Sequence, residues 1–64
     1  MSNDLLKYLS TQLQQDRLRI IEDLGDGKAQ DYAEYKYSAG VVRGLLMANT
    51  LIAETAERLE KSDE

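Results

Sequence analysis

Apolar and polar positions follow a helical period along nearly the whole of this chain. From Asp31 to Glu60, DYAEYKYSAGVVRGLLMANTLIAETAERLE, apolar residues recur every three or four positions, which keeps their side chains on one face of an α-helix. Tyr37, Val41, Gly44, Ala48, Leu51, Thr55 and Leu59 form one row at 4-3-4-3-4-4 spacing, that of a coiled-coil seam. Upstream, Leu5, Leu6, Leu9, Leu13, Ile20 and Leu24 fall in a narrow stripe when each residue turns the helix by about 100°. Within it, Leu6, Leu9, Leu13, Asp16 and Ile20 repeat at 3-4-3-4. Asp16 is the one carboxylate in that row. It is expected to set the register by bonding a tyrosine hydroxyl or a basic side chain of the second helix or of a neighbouring chain.

The only strong breaker is Gly25-Asp26-Gly27, and proline is absent. Gly25 follows the last stripe residue and suits the left-handed position that ends a helix. The pattern predicts a helix over about 3–24 opened by a Ser2 cap, a turn at 25–27, a helix over about 28–60 and a polar tail at 61–64. Asp26 and Asp31 can each cap the second helix, and the earlier start is preferred. So short a turn permits only an antiparallel return. The expected fold is all-α: an antiparallel two-helix hairpin with a coiled-coil-like seam, completed by oligomerisation or by docking on a larger partner. Counting back from the turn sets Leu24 near Asp31 or Tyr32, Leu13 near Val41 to Gly44, and Leu6 near Leu51. The last turns of the second helix then project past the first.

A second apolar row on the second helix has no counterpart inside such a hairpin. Tyr35, Val42, Leu46 and Ala53, with Tyr32 and Ala39 at the edge, lie roughly 120–140° from the seam row, more than one antiparallel helix can cover. Lys36, Arg43, Glu54, Arg58 and Lys61 line a solvated strip beside it. Single exposed apolar residues are ordinary on a surface. Several in register, two of them tyrosines, mark a contact surface, and these six residues are the expected partner-binding set. Gly40, Gly44 and Ala48 need a separate reason, because a helix-interior glycine costs roughly 1 kcal/mol relative to alanine. Close approach to the first helix is one reason, and contact with another subunit is the other.

Composition narrows the chemistry. Among 64 residues there is no cysteine and no histidine, hence no disulfide and no typical zinc site. A net charge of −4 with scattered basic residues argues against phosphate-backbone binding. No apolar run approaches the ~20 residues that span a bilayer. The opening MSNDLLKYLSTQLQQD lacks the basic start and apolar stretch of a secretory signal. GDGK in the turn is no Walker loop, since Glu22 and Ala29 stand where glycine and Ser or Thr are required. Asp23, Asp26 and Asp31 miss the spacing of an EF-hand. No serine or threonine has a histidine to activate it. Neither an enzyme nor a cofactor is expected.

The combination EDLGDGKAQDYAEYKYSAGVVRGL resembles short helical-hairpin proteins encoded by tailed bacteriophages. Their pattern is a leucine-rich helix, a glycine turn, then D-[FY]-A-E-Y leading into G-V-[IV]-R-G-L. Here it falls on Asp31, Tyr32, Ala33, Glu34 and Tyr35, then on Gly40, Val41, Val42, Arg43, Gly44 and Leu45. Most of those proteins have no assigned function, so the resemblance implies a viral setting more than an activity. The expected role is a structural or assembly component of the virion, at capsid, portal or neck. The alternatives are an intracellular effector that binds and inhibits a host protein, for which an acidic surface suits a basic groove, or a self-associating bundle with a regulatory role. The implied location is the virion or the host cytoplasm.

Overall fold

The computed structural model describes residues 2–62. It consists of α1 (Ser2–Gly25) and α2 (Tyr32–Ser62), packed against each other along a rod of 50 × 14 × 12 Å. The chain is thus an all-α antiparallel hairpin. At the open end Lys7 Nζ of α1 lies 3.5 Å from Glu60 Oε1 of α2. At the turn end Leu24 shares a cavity with Tyr37 and Ser38. Lys61 and Ser62 of the expected tail continue α2. Residues 63 and 64, and the side chain of Ser2 assigned to the first cap, lie outside the described residues.

The turn is built differently from its expected form. Gly25 remains helical, and the left-handed residue is Gly27, with φ 77°. The Lys28 amide donates to the Asp23 carbonyl at 3.0 Å and the Gly27 amide to the Leu24 carbonyl at 3.1 Å. These two bonds, closing around a left-handed glycine, are a Schellman ending that satisfies the last carbonyls of α1. Lys28 Nζ, 3.2 Å from Asp23 Oδ1, folds back over the same place.

α2 begins at Tyr32, a turn later than the preferred start, because Asp31 caps it. The Asp31 carboxylate accepts from the Glu34 amide at 2.8 Å, and the Glu34 carboxylate accepts from the Gln30 amide at 2.7 Å. This reciprocal pair is a capping box moved back by one residue. It satisfies two amides in chain that would otherwise continue the turn, and Asp26 supplies nothing comparable.

The later start lengthens the connection, and the pairing shifts with it. Leu6 lies in a cavity with Ala56 rather than near Leu51, and Ile20 lies with Val41 and Leu45. The overhang is therefore at the turn end, where the first turn of α2 rises past Leu24. It is not at the open end, where Lys7 already reaches Glu60.

The seam of α2 is rotated by one residue from its expected row. Tyr37 is 75% exposed and Leu51 62%, and Gly44 and Ala48 are exposed as well, with Val41 half-buried at the edge. The covered row is Ser38, Val42, Leu45, Asn49, Ile52 and Ala56, which has the same 4-3-4-3 rhythm. On α1 the half-buried row is Leu6, Ser10, Leu13, Arg17, Ile20 and Leu24, and Leu9 sits at its exposed edge. The physical reason lies at two levels. Leu45 turns inward where the expected row offers Gly44, and Asn49, where that row offers Ala48, accepts from Ser10 across the seam. A Cβ added to Gly40 or Gly44 would meet nothing within 4 Å, so neither glycine serves close approach to α1.

Asp16 also differs from expectation. It pairs with Arg19 on its own helix. The polar contact across the seam is Ser10 Oγ donating to Asn49 Oδ1. Among the described residues Ala56, 8% exposed, is the one that is buried, and no large side chain is fully covered. Two helices packed edge to edge enclose little.

Candidate functional site

The hairpin has two flat sides, and shared cavities identify them. Lys7, Ser10, Ala53, Glu57 and Glu60 line one groove, on what is called here the first side. Asp16, Arg19, Asp23, Val41 and Leu45 line a groove on the second side. Extending each helix at about 100° per residue places Tyr35, Ala39, Val42 and Leu46 of α2 on the first side. The same step places Leu18 and Ile21 of α1 there too.

Leu18 is 48% exposed, Ile21 39%, Tyr35 48% and Leu46 43%. Ile20 neighbours Val41, so Leu18 and Ile21 stand level with Ala39 to Leu46. Together they form a continuous apolar surface over the half of the rod nearer the turn. Scattered exposed leucines need no explanation, but a contiguous patch drawn from two elements does.

Of the six expected contact residues, four take part directly. Tyr35 and Leu46 are the exposed members, while Ala39 and Val42 are half-buried where the patch meets the seam. Tyr32 lies at the end of the patch, its ring centroid 6.3 Å from that of Tyr35, with Lys36 Nζ 5.9 Å from the Tyr32 centroid. Ala53 falls apart from them, in the charged groove near the open end. Leu18 and Ile21 were not in the expected set. They lie off the α1 stripe, and only the rotation of the two helices about each other shows that they join the α2 row.

The rim of the patch is polar. Arg43 and Glu22 are exposed at its outer edges, and neither makes an ion pair within the hairpin. Inside the seam, Arg17 Nη1 donates to Gln14 Oε1 at 3.3 Å, while its Nε is covered and has no acceptor. The second side carries a separate exposed group at the open end, Leu5, Leu9 and Leu59, with Leu51 and Tyr37 exposed farther along α2, and Asp16, Arg19 and Asp23 line its groove toward the turn.

Among the described residues no group of three His, Cys, Asp or Glu is placed to hold a metal ion. No helix there is long and apolar enough to cross a membrane. Comparison with protein families, with curated proteins and with solved structures finds no match.

Proposed function

We propose that this chain is a non-catalytic phage protein that works through protein–protein contact, as a structural or assembly component of a virion. The observation that carries the contact role is the uncovered face of Leu18, Ile21, Tyr35 and Leu46, on a hairpin in which Ala56 is the one buried residue among those described. Such a molecule gains stability by covering that face, and a surface met by tyrosines and leucines is covered by protein. The viral setting rests on the resemblance in DYAEY and GVVRGL. Capsid, portal and neck are the places where a small helical hairpin is held in many copies.

Mass spectrometry of purified particles of a tailed phage encoding this chain tests the reading. Stoichiometric recovery of its peptides is the expected result. Absence from particles, with abundance in infected cells, would replace it with an effector that binds a host protein.

A further inference from the structure

We infer that the face of Leu18, Ile21, Tyr35 and Leu46 is covered by a second copy of this chain, about a two-fold axis running along the helices. α1 of each copy then lies on α2 of the other, in a four-helix bundle with both turns at one end. The inference rests on the contact role proposed above and adds the partner and its orientation.

Area supports a partner of this size. A compact monomer of 7.3 kDa exposes about 4,200 Å² by the scaling of surface with mass. This chain exposes 5109 Å². The excess of roughly 900 Å² is close to the ~800 Å² that each partner gives to a standard interface.

Charge selects the occupant and its orientation. On the first side the outer edge of α1 carries the acids Asp4 and Glu22, and the outer edge of α2 carries the bases Lys36, Arg43 and Lys61. Leu24 is level with Ser38 and Ile20 with Val41, so Glu22 stands level with the stretch from Lys36 to Arg43. Leu6 is level with Ala56, which puts Asp4 level with Arg58, three residues short of Lys61. An axis along the helices preserves these levels and sets α1 against the partner's α2, acid edge facing basic edge. Inside the edges, Leu18 and Ile21 meet the row of Ala39, Val42 and Leu46. The acids on that side of α2, Glu54 and Glu57, fall toward the open end near the level of Lys7, and Glu57 pairs with Lys61 of its own chain. An axis across the helices instead sets α1 on α1, with Glu22 near its own copy, and α2 on α2, with Arg43 near its own copy. Like charges so placed repel.

Sedimentation equilibrium of the full chain at micromolar concentration tests this, with circular dichroism reporting whether each variant folds. The expected mass is twice 7.3 kDa. Glu22→Arg and Arg43→Glu each raise the dimer Kd about tenfold, since two symmetry-related contacts turn from attraction to repulsion. Both changes in one chain return it to within about twofold of the parent, because the exchanged charges again face each other. A monomer, or a dimer indifferent to both single changes, overturns the inference. A dimer missing from phage particles upholds the inference and removes the virion role, while a monomer found in particles does the reverse.

Discussion

Ser10 of α1 donates its hydroxyl hydrogen to Asn49 Oδ1 of α2, a polar pair that bridges the two rows of the seam. Each residue occupies a position of the 4-3 row on its own helix. Sliding either helix by one turn would separate them, so the pair sets which turn of α1 meets which turn of α2. Asn49→Ala is expected to lose about 1 kcal/mol, since the half-buried Ser10 hydroxyl is left without its acceptor. Ser10→Ala together with Asn49→Leu removes both polar groups and restores the melting temperature or raises it. A double variant that loses as much as Ser10→Ala and Asn49→Leu added together would show that the two residues do not act together.

The two ends of the connection make separable contributions. Asp31→Ala removes the carboxylate that accepts from the Glu34 amide and should cost about 1 kcal/mol. Gly27→Ala forces a Cβ into a left-handed conformation and should cost about 1–2 kcal/mol. Gly25→Ala lies within a helical turn, where alanine is the better residue, and it should not destabilise. Thermal melts of the three variants distinguish this turn from one built around Gly25.

Gly44→Ala is expected to stabilise by about 1 kcal/mol, because the added Cβ meets nothing within 4 Å and the helix gains propensity. The seam reading of the sequence expects the opposite. Gly44 lies away from the first side, so the mass in solution should not change. A lower melting temperature would mean that α1 or another chain sits against Gly44.

Arg17→Leu should raise the melting temperature by several degrees. The Arg17 Nε is covered without an acceptor, an arrangement that costs about 1–3 kcal/mol, and each kcal/mol moves the midpoint of a domain this small by about 4–8 °C. Differential scanning calorimetry gives the answer. A fall would show that the alkyl stem or the Gln14 contact outweighs the missing bond.

Tyr35→Asp combined with Leu46→Asp places two charges on the uncovered face and leaves the seam row intact. Helicity by circular dichroism should persist while association is lost, whether the partner is a second copy or a larger assembly. Unchanged light-scattering mass and unchanged partner binding would place the contact elsewhere, with the group of Leu5, Leu9 and Leu59 on the second side the next surface to alter.

Much of this architecture was already legible as pattern. Two helical periods, a glycine break and the absence of proline dictate a hairpin, since local periodicity and turn chemistry act within a few residues. The apolar row of Tyr35, Val42 and Leu46 could be read in the same way. Which row faces α1 could not. Tyr37-Val41-Gly44-Ala48-Leu51 and Ser38-Val42-Leu45-Asn49-Ile52-Ala56 share one spacing and differ by a single residue. Choosing between them requires knowing what lies opposite: Ser10 for Asn49, and apolar neighbours for Leu45 and Ile52. The Asp31 cap altered the length of the connection, and with it every level along the pair. Leu18 and Ile21 joined the uncovered face for the same reason. The side of the hairpin on which a residue stands is set by how two helices are turned against each other, and that depends on contacts far apart in the chain.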